Sequence, residues 1–509
     1  MLDARIRNFF PFLNRQTILK TVNRKEKERI AFDNAASTQV PLPVLETFLN
    51  ATVDYANVHR SAYDAARLSG MAMEGTYNTA ANLVNASSWQ EIVLGPNTTG
   101  MINLVALGLR NQFEDGDNIV LTELEHSSNV GPWIGLKESL AAQRSPVHIE
   151  LRLAPFDKAT GELDYERLAS LVDRRTRIIS VTGASNFLGV KPALATIAQL
   201  ARESGHIRPD GTRGSLFMVD GAQLVPGAHV DVQAIGCDFL AWSSHKMAAP
   251  VGIGCLYAKT SALDALGHPI HGGGMYTDLY PDRECWREHP WDFTAGTPPI
   301  LSIIAYGEGI RFLINTGLGN LPVENGLPRE QLVDRTGKAL VTEQLLSRPS
   351  GDFPHQYLVP DELAPLWKEY TSLHPDILPY LEEEDAPNTA VESAMNSVTL
   401  HLREITALAI EGLSKVPGLT IYGPLDAEKR GGLVAFDIEG IPTPEVGQAL
   451  STYGIETRWG HHCAYFAHDR YGIKNSGSVR MSFYIYNTPE EVAYAVDAVD
   501  KISRLARQV

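Results

Sequence analysis

Two stretches decide the reading of this chain: FMVDGAQLVPG, residues 217–227, and FLAWSSHKMAAPVGIG, residues 239–254. Each opens as an apolar run of strand length and closes on a cluster of polar groups. Asp220 and Gln223 end the first; Ser243, Ser244, His245 and Lys246 end the second. Apolar side chains on successive residues mark a strand covered on both faces, as in a parallel sheet flanked by helices. Polar groups delivered together from such strands need partners, because burying each of them unpaired costs about 1–3 kcal/mol.

Working outward, EIVLG, NIVLTELE, HIELRLAP, RIISVTGAS and GIGCLYA complete a set of seven short strands between residues 91 and 258, separated by helical stretches. The alternation predicts an α/β unit with a large, mostly parallel seven-stranded sheet. In such sheets the functional groups gather beyond the carboxyl ends of the strands. The end of the chain has another texture: helix EITALAIEGLSKV, strands LTIYG and GGLVAFDIE, helix TPEVGQALSTYG, strand SVRMSFYIY and helix TPEEVAYAVDAVDKISRLA. This predicts a smaller C-terminal α+β domain. The expected organisation is an N-terminal arm (1–30), a large domain (31–319), an inserted segment rich in proline and acids (320–395) and the small domain (396–509).

Bulk properties narrow the function. With 509 residues, 60 acidic against 44 basic side chains and a net charge of −16, the chain is too acidic to suit nucleic acid or an anionic membrane. No run of about 18 apolar residues predicts a membrane span, and the first twenty residues lack the apolar core of a signal peptide. Cys237, Cys255, Cys285 and Cys463 are too few and too scattered for a disulfide framework or paired zinc spacing, so no metal is expected and a reducing cytoplasm fits best.

An amine, a carboxylate, an amide, hydroxyls and an imidazole at strand ends suit pyridoxal phosphate. Lysine bonds its aldehyde, a carboxylate keeps its pyridine nitrogen protonated, and hydroxyl and imidazole groups hold its phosphate. Other segments agree. Thr98 and Thr99 precede the apolar helix of GPNTTGMINLVALGL, where a helix N-terminus favours phosphate. His126, in EHSSN, and Asn186, in ASNFLG, each follow a strand.

Together, FDNAAST (32–38), ANVHR (56–60), SNFLG (185–189), VDGAQ (219–223), SSHK (243–246), AGTP (295–298), GHHCA (460–464) and RMSFYIYNTPEEV (480–492) carry a resemblance. The chain resembles the class V aminotransferase group of fold-type I pyridoxal phosphate enzymes and, within it, the group II cysteine desulfurases, or selenocysteine lyases. The resemblance implies a homodimer with shared active sites. Lys246 would be the Schiff-base lysine, Asp220 the pyridinium partner, and His126 the ring stacked on the cofactor. Gln223 and Asn186 would contact the ring hydroxyl. Thr98, Thr99, Ser243, His245 and, from the other subunit, Thr297 would hold the phosphate. Arg480 would grip the substrate carboxylate, with Arg458, Asn34 and His59 also at the substrate.

Cys463 stands in RWGHHCAY, residues 458–465. A metal site is disfavoured, since adjacent residues rarely aim at one ion; a buried structural thiol remains the bland alternative. The resemblance implies a nucleophile that takes sulfur from cysteine as a persulfide, leaving alanine, and passes it to an acceptor protein. Arg458, His461 and His462 are the candidates for favouring the thiolate. Two motifs depart from the family pattern, EHSSN (125–129) and GGGMYTD (272–278), and the inserted segment has no counterpart in ordinary desulfurases. An aminotransferase, epimerase or carbon–sulfur lyase acting on another amino acid is therefore the alternative reaction.

Overall fold

The computed structural model describes residues 1–10, 13, 29–53, 55–58, 63–320 and 388–507. His59 and residues 321–387, most of the expected insertion, lie outside the described residues.

The strands in chain order are β1 (Ile30–Ala31), β2 (Ile92–Gly95), β3 (Asn118–Thr122), β4 (Glu150–Ala154), β5 (Thr176–Thr182), β6 (Leu216–Asp220), β7 (Phe239–Ser243), β8 (Gly254–Ala258), β9 (Tyr276–Tyr280), β10 (Arg283–Trp286), β11 (Leu419–Tyr422), β12 (Leu433–Ile438), β13 (Ile455–Glu456), β14 (Arg458–Gly460) and β15 (Ser478–Ser482). All seven expected strands form one sheet of order β2-β8-β7-β6-β5-β3-β4. β7, β6, β5, β3 and β4 run parallel; β8 is antiparallel to both of its neighbours.

Alternate residues explain why these strands read as unbroken apolar runs. Phe217 and Val219 of β6, with Leu240 and Trp242 of β7, enter one hydrophobic cluster; Leu216, Met218, Phe239 and Ala241 enter another on the opposite face. Both faces are thus covered, and each fully buried Val, Leu or Phe side chain contributes about 1.5–3 kcal/mol. The only residues of β6 and β7 left for chemistry are those at their carboxyl ends, Asp220 and Ser243 onward.

A second sheet, order β11-β12-β15-β14, is antiparallel and is backed by the helix Asn388–Leu413, on which the helix Pro489–Ala506 packs. The first of these begins well before the EITALAIEGLSKV segment, and β14, only three residues long, was not anticipated. Thr488 and Glu491 close a capping box on the second. The segment after residue 29 also meets the C-terminal part of the chain, β1 and β13 forming a two-stranded sheet of their own. Asp33 of the same segment bridges to Ser482. It then crosses to the large sheet, where Thr38 N–H donates to the His245 carbonyl at 2.9 Å. The two sheets are therefore stitched together beside Lys246.

Candidate active site

β7 ends in a single 3₁₀ turn, Ser244–Lys246, which places Lys246 half-buried at the strand's carboxyl end. Asp220 ends the neighbouring parallel strand and is buried, its Oδ1 accepting from the Ala222 N–H at 3.0 Å. Each feels the other. Burial is the main cause pushing the Lys246 amine down to about 8; Asp220 opposes that shift, and Arg480 adds to it. Burial also raises the Asp220 carboxyl, against the pull of the Ala222 N–H and Lys246. A desolvated amine beside a buried acid is the arrangement that turns a lysine into a nucleophile or base near neutral pH.

Thr98 and Thr99 are the first residues of the helix Thr98–Gly108, and Asn97, not a threonine, is its N-cap, accepting from Gly100 N–H at 2.9 Å. Thr98 N–H donates to Ser243 Oγ at 2.8 Å, and the two hydroxyls lie 2.6 Å apart. This joins the helix N-terminus to the end of β7. Gly254 permits it: a Cβ there would stand 2.5 Å from the Cα of Asn97. His245 follows directly, its imidazole held down at about 4 by burial and by Lys246.

His126 sits after β3 and accepts at Nδ1 from the Ser128 N–H at 3.1 Å, leaving its ring proton on Nε2. Burial, Lys246 and Arg480 hold it at about 4, so the ring is neutral. The serines of EHSSN have structural partners. Ser128 Oγ lies 2.7 Å from Thr99 Oγ1, and Ser127 N–H donates to the Cys463 carbonyl at 2.8 Å.

From the smaller sheet, Arg480 on β15 and Arg458 on β14 face each other in register. Like charges directly opposite are unfavourable; Asp33 answers both, accepting from Arg458 Nε at 3.1 Å and Nη2 at 2.9 Å, and from Arg480 Nη2 at 3.2 Å. Arg480 is 2% exposed, donates from Nη1 to the Asn186 carbonyl at 2.9 Å, and keeps an Nε without a hydrogen-bond partner among the described residues. Burial brings it down only to about 10, so it stays cationic.

Cys463 is exposed, which removes the structural-thiol reading. His462 (φ 50°) and Cys463 (φ 59°) both adopt the left-handed conformation, a strain of about 1–3 kcal/mol each that surrounding contacts must hold. Those contacts are present. Asn186 Nδ2 donates to the His462 carbonyl at 2.5 Å, and Ala464 N–H to the His461 carbonyl at 2.8 Å. The thiol interacts electrostatically with Lys246, Arg458 and Arg480. The expectation that His462 supplies positive charge is corrected. His462 is buried against Ser478 Oγ at 3.0 Å, with its imidazole driven well down, and His461 turns to the Lys474 carbonyl. Their rings point to separate partners, and among the described residues no three potential ligands group as a metal site.

Three further expected residues have these surroundings. Asn34 Nδ2 is occupied by the Ala31 and Ser482 carbonyls at 2.8 and 2.7 Å, while its Oδ1 accepts from the Tyr486 hydroxyl. It clamps these segments together. Gln223 Nε2 donates to the Ala35 carbonyl at 2.7 Å. Thr297 is exposed and is not brought to this cluster within the chain. Sequence reading passed over Asp33, which lies within FDNAAST, and Glu125. The latter is buried, hydrogen-bonded to Thr122 and Asn129 at 2.6 and 2.7 Å, and raised by burial to about 8.

The donor set fits pyridoxal phosphate: a buried acid, an amine at the next strand end, a neutral imidazole, and hydroxyls at a helix N-terminus. Asn186 Oδ1 is also a buried acceptor without a partner among the described residues. Comparison with known proteins agrees. A family model described as aminotransferase class V matches residues 30–337 and 388–494. The chain is 30% identical to a cysteine desulfurase of Haloferax volcanii over 99% of this chain and 97% of that one. It is 31% identical to a cysteine desulfurase of Yersinia pestis, with 98% of each covered. Among solved structures, an apo cysteine desulfurase from Thermococcus onnurineus is 25% identical, covers 100% of this chain and 99% of its own, and superimposes with a TM-score of 0.74.

Proposed function

Starting from a chain that belongs to the class V aminotransferase family, we propose a pyridoxal phosphate-dependent cysteine desulfurase that converts L-cysteine to L-alanine and loads the sulfur on Cys463. The observation that carries this reading is the exposed thiol of Cys463, held on a strained turn within the fields of Lys246 and the two arginines. An incidental cysteine has no need of such a mounting. The desulfurase relatives at about 30% identity over nearly the whole chain support the same reaction.

Lys246 would hold the cofactor, with Asp220 at its ring nitrogen, His126 on its ring, and Thr98, Thr99, Ser243 and His245 at its phosphate. When bound, the cofactor supplies an electron sink for the pair left as the substrate's α-proton departs. Arg480 receives the α-carboxylate in a two-point grip. The Lys246 amine, which burial lowers to about 8 so that its neutral form is accessible, takes the α-proton and returns a proton to the product. The Cys463 thiolate attacks the substrate sulfur. A sulfur–sulfur bond forms, the carbon–sulfur bond breaks, and its electron pair stays with the carbon that becomes the alanine methyl. The balance is cysteine plus thiol to alanine plus persulfide.

The exposed Thr297 of the AGTP loop is offered to the phosphate site of a second copy, making the enzyme a homodimer. An acceptor protein would collect the sulfur at the exposed turn. A reducing cytoplasm suits a thiol that must stay free. Purified holoenzyme given L-cysteine and a thiol reductant is expected to release alanine and sulfide in equal amounts; failure to form alanine contradicts the reading.

A further inference from the structure

Between the large sheet and the smaller one lies a cavity of about 200 Å³ that adjoins the cofactor site, with Lys246 and Gln223 in its wall. Ser185, Lys191, Arg403 and Glu428 also line it; Cys463, Arg480, His126 and Thr98 take no part in its walls. Small residues, among them Gly227, Ala228, Gly431 and Gly432, leave it open.

Its charge is unbalanced. Lys191, Arg403 and Arg430 line it against one carboxylate, Glu428, which is exposed and accepts from Arg403 Nη1 at 2.9 Å. Arg430 is 2% exposed. Its Nη1 and Nη2 donate to the Pro424 and Tyr422 carbonyls at 2.6 and 3.3 Å, and its Nε is buried without a hydrogen-bond partner among the described residues. A guanidinium that meets only carbonyls keeps an uncompensated charge, and burial pulls it down to about 9. Tyr484, also in the wall, is buried with its hydroxyl equally unpartnered. Burial and Arg403 lower the half-buried Lys191 ammonium as well. The walls therefore carry an excess of positive charge, the complement of a small group bearing several acceptor oxygens.

We propose that this cavity binds a small oxyanion, held by Lys191 and Arg403 and attracted by the buried charge of Arg430, apart from the reacting cysteine. Ser185 comes from the large sheet's side and Leu433, Ser482 and Phe483 from the smaller sheet's side, so the anion would also tie the two together behind Lys246.

The test is calorimetric titration of the holoenzyme, whose cofactor fills its own phosphate site, with inorganic phosphate and separately with malonate. Saturable 1:1 binding of at least one is expected. Phosphate alone would assign a tetrahedral oxyanion, and malonate as well a carboxylate. In the double variant Lys191→Gln/Arg403→Gln, affinity should fall about tenfold or more while the visible spectrum of the cofactor is unchanged. Ala228→Leu, which fills the cavity and keeps its charges, should abolish binding. No saturable heat with either anion, or binding that both variants leave intact, overturns the proposal.

Discussion

Asn186, in the loop after β5, donates its side-chain amide to the main-chain carbonyl of His462 at 2.5 Å, so a residue of the large sheet holds the turn that presents Cys463. Asn186→Ala leaves that buried carbonyl unmet and should cost about 1–3 kcal/mol of stability. Thermal unfolding measures the cost. Sulfur transfer should fall further than cofactor binding, because the left-handed turn at His462 and Cys463 loses its brace.

The ionisation of the site gives a pH prediction with a definite sign. The Lys246 amine is lowered to about 8, with burial as the main cause, so it becomes neutral as pH rises through about 8. The rate at which apoprotein captures pyridoxal phosphate should rise through that value and then level off. An ordinary lysine would keep climbing toward about 10.4. His126, held at about 4, should add no limb to kcat/KM between pH 5 and 8.

Arg480→Lys keeps the charge but loses the planar two-point grip. KM for cysteine should rise about tenfold or more, with a smaller change in kcat. Asp33→Asn removes the shared counter-ion of Arg458 and Arg480 and should lower stability by about 1.5–3 kcal/mol, read from denaturant unfolding.

Gly254→Ala places a methyl against the main chain of Asn97, the cap of the helix that begins at Thr98. Overpacking of this kind costs about 1–3 kcal/mol. Cofactor affinity, measured by spectral titration, should weaken while β8 itself still forms.

What was legible in the sequence had local causes. The strands of the large sheet could be read because both their faces are covered, and Lys246 and Asp220 because they break apolar runs at the strand ends. The directions of His461 and His462 were not legible. They depend on the Lys474 carbonyl and the Ser478 hydroxyl, partners 13 and 16 residues away. Asp33 was missed for the same reason: its value lies in two arginines more than 400 residues downstream, brought to it by the pairing of β1 with β13. Asn34, expected at the substrate, also makes hydrogen bonds between segments that the sequence did not reveal, to the Ala31 and Ser482 carbonyls.

The central claim is that Cys463 accepts the sulfur. Mass spectrometry of the holoenzyme after a single turnover with L-cysteine, without reductant, tests it most directly. The account predicts one added sulfur atom on the peptide containing Cys463, one alanine per active site, and in Cys463→Ala an unchanged cofactor spectrum with sulfur loading lost. Alanine formed at the normal rate by Cys463→Ala, or sulfur found on another cysteine, would contradict it.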